Sequence, residues 1–215
     1  MSREQLLVSV AGLVLALPED RPRLVAVDGM SCVGKTTLAA ELADVLDGSG
    51  RPVVRVAYDD FHRPAAQRRR RGRLSAQGYL EDSYDPVALT RLVLEPIAAG
   101  KRTVVTASYD LAVDQHVSPE PVEVAPSGVV LVEGEFLLDL PGAWDVAVLL
   151  VADPAAVLAR ALERDADLGT PEQLREMYLR RYLPAWALYE ERSAPWERAD
   201  VVADVTDPAN PLLLS

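Results

Sequence analysis

The chain has 215 residues, 49% of them hydrophobic, with 22 Lys and Arg against 33 Asp and Glu, a formal charge of −11. That length and apolar content suit one domain with its own core, and the acidic balance argues against general binding of nucleic acid or anionic membranes. The single cysteine, Cys32, excludes an internal disulfide and a cysteine-rich metal site, and fits a reducing, cytoplasmic compartment.

Residues 6–17 read LLVSVAGLVLAL. The stretch is too short to span a bilayer and lacks the basic flank and small-residue cleavage pattern of a signal peptide. It predicts a helix over 3–16 packed on the core. Leu24-Val25-Ala26-Val27, ending in Asp28-Gly29, predicts a strand buried on both faces. Leu38, Leu42, Val45 and Leu46 share one face of a helix over 35–46, closed by Gly48-Ser49-Gly50. A second strand follows over 52–57, then a long loop with some helix over 59–84, then a helix over 86–99 stopped by Gly100. Residues 103–106 and 122–124 read as strands of a hairpin or of an excursion. Further strands are expected over 128–132, 145–151 and 199–205, with helices over 154–164 and 171–191. Strands alternating with helices predict an α/β domain spanning 1–215, its parallel sheet covered on both faces.

Residues 29–36 read Gly29-Met30-Ser31-Cys32-Val33-Gly34-Lys35-Thr36, the pattern G-x-x-x-x-G-K-T, after an expected strand and before an expected helix. Gly29 and Gly34 allow a backbone that turns successive N–H groups inward, and the helix beyond adds the positive end of its dipole. Gly29, Ser31, Val33, Gly34, Lys35, Thr36 and Thr37 are therefore candidates for holding a nucleoside triphosphate. Lys35 would reach its β- and γ-phosphates and Thr36 would ligate Mg²⁺. The motif alone does not separate an ATPase switch, a GTPase and a kinase.

Ligands of a parallel sheet collect outside the carboxyl ends of its strands, and acids stand there. The second strand leads into Tyr58-Asp59-Asp60-Phe61-His62, and the strand over 128–132 leads into Glu133. Kinase chemistry needs a base beside the acceptor hydroxyl and help in holding Mg²⁺. Asp59 is the expected base, with Asp60 the alternative, because neighbours in an extended segment point opposite ways. Thr36, Glu133 and Asp59 are the expected metal-side oxygens, and His62 is a candidate substrate contact.

Four stretches, GMSCVGKTT at 29–37, YDDFHRP at 58–64, VVLVEGEFLL at 129–138 and ADPAAVLARALERD at 152–165, make the chain resemble the uridine kinase-like P-loop kinases. That group includes nicotinamide riboside kinases, bacterial-type pantothenate kinases and phosphoribulokinases. The resemblance implies a three-layer P-loop fold with an acceptor region at about 58–127 and a small helical lid at about 160–178. It implies ATP and Mg²⁺ as cofactors, Asp59 as the catalytic aspartate and Glu133 as the acid of the E-G segment. It maps a substrate-hydroxyl carboxylate onto Asp85, with Tyr84 as a ring-stacking partner, and the lid arginines onto Arg160 and Arg164. The stretch 101–127 matches none of the group's substrate classes.

Arg160 and Arg164 are four residues apart and share a helix face. A loose phosphoryl-transfer transition state needs such cations, and Arg164 is the stronger candidate. The run Arg68-Arg69-Arg70-Arg71-Gly72-Arg73 reads either as a solvated face or as an anionic-substrate or regulatory phosphate site. Tyr178, Tyr182, Trp186 and Tyr189 share a helix face and predict packing. The expectation is an ATP- and Mg²⁺-dependent kinase of a small hydroxylated metabolite, a nucleoside first. The alternatives are another small acceptor (nicotinamide riboside, a pantothenate-like compound, a sugar phosphate or an antibiotic) or an ATPase switch with no small acceptor. No nucleic-acid or membrane partner is expected, and a homo-oligomer is left open.

Overall fold

The computed structural model describes residues 1–142 and 144–214. Helix α1 (Arg3–Leu15) opens with a capping box in which the Ser2 hydroxyl accepts from the Gln5 amide and the Gln5 side chain accepts from the Ser2 amide. Leu6, Val10, Ala11 and Val14 form its buried face against the body of the domain, and Arg3 pairs with Glu41 at 2.8 Å. Strand β1 (Arg23–Gly29) is buried along its whole length, which is why its sequence is a continuous apolar run rather than an alternation. Helix α2 (Lys35–Gly48) buries Leu38, Ala39, Leu42, Ala43 and Leu46 over the sheet. Strand β2 (Val53–Ala57) follows.

The sheet is completed by β3 (Val129–Gly134), β4 (Val146–Val151), β5 (Val201–Asp204) and β6 (Leu212–Leu213), in the order β6-β5-β4-β1-β3-β2. All neighbours are parallel except β6, which runs antiparallel to β5 at the edge. The expected parallel α/β sheet with helices on both faces is found. The edge strand β6 was not foreseen: two exposed leucines carry no period.

Between β2 and β3 the chain makes a 3₁₀ turn (Tyr58–Phe61), helix α3 (Ala76–Asp82) and a helical run over 86–98 with a π segment at Thr90–Leu94. The open stretch 103–124 resolves into two nested antiparallel pairs, Thr103–Val104 with Val122–Glu123 and Tyr109–Asp110 with Gln115–His116. After β4 come α4 (Pro154–Arg164), a 3₁₀ turn (Ala166–Leu168), α5 (Pro171–Met177), a π segment (Tyr178–Tyr182) and α6 (Leu183–Ser193). Among the described residues no helix is long and apolar enough to cross a membrane.

Register positions the site. In the sheet Glu133 lies opposite Val27 of β1 on one side and Ala57 of β2 on the other. The three strands therefore deliver the phosphate loop, the Glu133 segment and the Asp59 turn to one edge. Gly134 makes this approach possible, because a Cβ there would stand 2.4 Å from the Tyr58 Cβ. Gly134→Ala must push β3 and the Asp59 turn apart. We expect a loss of about 1–3 kcal/mol in urea unfolding, the usual cost of overpacking; unchanged stability would mean that the two segments do not meet this closely.

Candidate active site

Asp28, fully buried at the end of β1, fixes the start of the phosphate loop. Its carboxylate accepts from the Gly29 amide at 2.7 Å, the Leu138 amide at 3.1 Å and the Tyr189 hydroxyl at 2.6 Å. Burial pushes its pKa up, and those hydrogen bonds pull the other way. Gly29 has no room for a side chain: a Cβ would lie 2.6 Å from the Leu150 carbonyl oxygen and 2.8 Å from the Val33 Cγ1. Cys32 and Gly34 take positive φ values of 58° and 108°, the alternation that aims loop amides to one side. Gly34 caps α2 without a side-chain hydrogen bond, which leaves first-turn N–H groups open toward the loop. Lys35 Nζ folds back to the Met30 carbonyl at 2.9 Å. Val33, Gly34, Lys35, Thr36 and Thr37 border a cavity of about 430 Å³ that Arg160 and Arg164 also line. Gly29 and Ser31 are not among the residues lining that cavity; the Ser31 Oγ lies 3.3 Å from the Tyr178 hydroxyl.

Thr36 Oγ1 donates to Glu133 Oε1 at 3.0 Å, joining the first turn of α2 to the end of β3. Burial pushes the Glu133 pKa up, while Lys35 and the Thr36 hydrogen bond pull it down and Asp59 pushes it further up. Asp59 lies in the 3₁₀ turn, not in an extended segment, so the alternation argument for choosing between Asp59 and Asp60 does not apply. The geometry separates them instead. Asp59 Oδ1 accepts from the Tyr84 hydroxyl at 3.2 Å, and its charge acts on Glu133 and Glu135. Asp60 feels Asp59 and Asp110, and its pKa is raised by burial and by them.

His62 is buried, with Nδ1 2.7 Å from the Asp59 carbonyl oxygen, and burial lowers its pKa. Tyr84 is 5% exposed. Its ring stacks on Tyr58 at 4.5 Å and meets His62 at 4.4 Å. It thus offers Asp59 a hydroxyl and keeps no open face for a second ring. Asp85 caps the helix beginning at Pro86, accepting from the Ala88 amide at 3.0 Å.

Glu135, two residues past Glu133, is buried, and loss of hydration pushes its pKa up to about 7. Its Oε1 accepts from the Tyr79 hydroxyl at 2.9 Å, and that hydroxyl lies 3.3 Å from the one on Tyr84, which reaches Asp59. Two tyrosine protons face three contacts in this chain. With Tyr79 donating to Glu135 and Tyr84 donating to Asp59, the contact between the two hydroxyls is left without a proton of its own. The E-G-E spelling was the available sequence signal; nothing in it reveals that Tyr79 covers the second acid.

Arg164 pairs with its neighbour Asp165 through two hydrogen bonds of 2.6 and 3.0 Å. Tyr178 donates to Asp165 at 3.0 Å and touches Cys32 Sγ at 3.2 Å. These contacts tie the end of α4 to the phosphate loop. Arg160 Nη2 donates to the Val205 and Thr206 carbonyls, both at 2.7 Å. Of the two expected lid arginines, Arg164 alone is linked to the loop through side chains.

These features fit a nucleotide and its metal. The loop has open amides, a lysine and a cavity. Thr36 and Glu133 present adjacent hard oxygens, and among the described residues no three His, Cys, Asp or Glu side chains converge into a cage. Two such oxygens would suit Mg²⁺, which takes few protein oxygens and leaves the rest to phosphates and water.

No protein-family model matches the chain. The pantothenate kinase of Nocardioides sp. is 35% identical over 119 residues, 54% of this chain and 36% of the relative. That of Shewanella halifaxensis is 30% identical over 55% of this chain and 37% of the relative. The chain thus spans little more than a third of the length of these curated relatives. Among solved structures, the "possible uridine kinase" of Bacillus stearothermophilus has a TM-score of 0.74 at 24% identity, covering 93% of this chain and 97% of that one. The D-glycerate 3-kinase of Cryptococcus neoformans has a TM-score of 0.64 at 15% identity, covering 97% and 99%. The fold is that of the P-loop kinases among these solved structures. The names of these proteins carry three different acceptors, so the shared fold leaves the acceptor of this chain open.

The buried Glu135 carboxyl binds its proton more tightly when folded than when unfolded. Its contribution to stability is therefore largest below the ordinary glutamate pKa of 4.5 and falls as pH rises toward about 7. In urea unfolding of the ligand-free protein, wild type should lose about 3 kcal/mol relative to Glu135→Gln between about pH 4.5 and about pH 7. Parallel stability profiles would show that Glu135 ionises like a solvated acid.

Proposed function

We propose that the protein is an ATP- and Mg²⁺-dependent kinase that moves the terminal phosphoryl group to a hydroxyl of a small molecule. The observation that carries this reading is the meeting, at the ends of β1, β3 and β2, of a phosphate loop, the Thr36–Glu133 pair and the Asp59 turn. A nucleotide switch needs the first two and has no use for an acceptor base beside them.

In this reading Lys35 leaves the Met30 carbonyl and, with the loop amides, holds the β- and γ-phosphates. Thr36 and Glu133 hold the metal, with Asp59 beside them; bound Mg²⁺ would offset phosphate charge. Asp59 accepts the acceptor's proton as the new oxygen–phosphorus bond forms in line and the bond to the β-phosphate oxygen breaks, its electron pair leaving on ADP. The hydrogen bond from Tyr84 holds the Asp59 carboxylate in place. Arg164 offsets charge on the transferring group when its hold on Asp165 loosens. A soluble nucleotide pool and one free cysteine fit the cytoplasm.

Asp59→Asn keeps size and polarity and removes the base. It should lower acceptor-dependent transfer by about 10²–10⁴-fold with ATP affinity unchanged in equilibrium binding. Near-normal turnover by this variant, or ATP hydrolysis that no acceptor stimulates in the wild type, would overturn the reading.

A further inference from the structure

The arginine run divides in two. Arg70 and Arg71 hold the end of α3: Arg70 pairs with buried Asp82, and Arg71 reaches Asp82 at 3.0 Å and Glu81 at 2.7 Å. Arg68, Arg69 and Arg73 instead line a second cavity, of about 220 Å³, together with Arg181, Asp165 and Tyr178. Arg68 is bonded to Asp114 at 2.9 Å. Neither Arg69 nor Arg73 has an ion pair among the described residues, and both are exposed.

Arg181 is the unusual member. It is 7% exposed. The other two buried arginines have acids at hand, Arg23 with Asp20 and Asp145, and Arg51 with Glu19 at 4.0 Å. Arg181 has no carboxylate within 4 Å among the described residues. It donates to the Arg73 carbonyl at 2.6 Å and the Ser83 Oγ at 3.2 Å, and its guanidinium lies over the Tyr79 ring at 4.9 Å. Neutral acceptors and a ring compensate a buried charge only in part. Arg68 and Arg69 add like charge beside it. Asp165, the acid on this wall, is already held by Arg164 and Tyr178.

The cavity is joined to the phosphate loop and to the Asp59 turn through the tyrosines on its wall. Tyr178 forms part of its wall and touches Cys32 of the phosphate loop. Tyr182, on the same wall, packs on Tyr79 at 4.7 Å, from which hydroxyls lead to Asp59. The fields of Arg68 and Arg181 both reach His62, next to the Asp59 turn.

We infer that this cavity is the acceptor pocket and that the acceptor is a small hydroxylated acid, whose carboxylate or phosphate monoester is bound by Arg181 with Arg69 and Arg73 while its hydroxyl faces Asp59. The inference rests on the kinase reading for its second half and proposes an acidic acceptor in place of the nucleoside expected first. Guanidinium forks suit either anion, and the anion would remove the uncompensated charge of Arg181.

The test uses the purified chain with its phosphate loop filled by Mg²⁺ and a non-hydrolysable ATP analogue. Inorganic phosphate and acetate are then titrated by calorimetry, alongside ATP-dependent transfer to matched pairs: pantothenate and panthenol, glycerate and glycerol, ribose 5-phosphate and ribose, with uridine added. We expect saturable binding of one anion, which tells carboxylate from phosphate recognition. Its Kd should rise at least about tenfold in Arg69→Ala/Arg73→Ala, a pair without ion pairs to lose, and further in Arg181→Gln, with the affinity for the ATP analogue unchanged. The acidic member of a pair should exceed its neutral partner at least about tenfold in kcat/KM. Absence of anion binding with the loop filled, or binding that the double variant leaves intact, overturns the inference. Transfer to uridine and the neutral partners without anion binding would sink it while sparing the kinase reading. Anion binding with no transfer to any acceptor would keep the anion site and overturn the kinase reading, and with it the assignment of the cavity to an acceptor.

Discussion

The parallel pairing of β1 with β3, and of β3 with β2, is the constraint on which the site depends. It sets Glu133 level with Val27 and Ala57, and a shift by one residue would turn every side chain of β3 to the opposite face. Three small contacts hold this register at its working end. Asp28 ties Gly29 to Leu138 and Tyr189. Gly134 lets Tyr58 close over β3. Thr36 reaches Glu133. Each links segments far apart in sequence, and together they leave the phosphate loop, the metal-side oxygens and the Asp59 turn on one edge.

Charge follows the same logic. The chain carries a large negative excess, yet positive groups gather around two neighbouring cavities. Lys35 and Arg164 stand at the loop cavity, and Arg68, Arg69, Arg73 and Arg181 at the one beside it. The Asp165–Tyr178 pair forms the partition between the two, touching Arg164 on one side and the loop on the other. Beneath them the buried chain Glu135-Tyr79-Tyr84 ends on Asp59. Each tyrosine hydroxyl donates to one of the two acids, so each end of the chain is a carboxyl group held by a phenol.

What was legible in the sequence was local and periodic. The apolar run of β1, the helical face of α2 and the G-x-x-x-x-G-K-T spelling each sit within a dozen residues and need no distant partner to be recognised. The acids at strand ends could be found from strand order alone. What escaped depends on tertiary neighbours. The turn at 58–61 is 3₁₀ rather than extended, and Tyr84 has both faces covered by Tyr58 and His62. Asp85 is occupied as a helix cap. Glu135 looks like any strand-end acid until Tyr79, more than fifty residues earlier, is laid over it. Arg181 reads in the sequence as one more arginine of a helical stretch, and its lack of an acid is visible only once Arg73, Ser83 and Tyr79 surround it. The arginine run likewise reads as one feature in sequence and as two in space, because Asp82 claims some of its members and not others.

The most direct measurement is a crystal structure of the chain with Mg²⁺ and a non-hydrolysable ATP analogue. The account predicts Lys35 on the β- and γ-phosphates, the metal on Thr36 and Glu133, and Asp59 facing the γ-phosphorus across a gap that admits one alcohol oxygen at roughly 3–3.5 Å from it. An Asp59 carboxylate turned away from that phosphorus, or a gap filled by packed side chains, would contradict it.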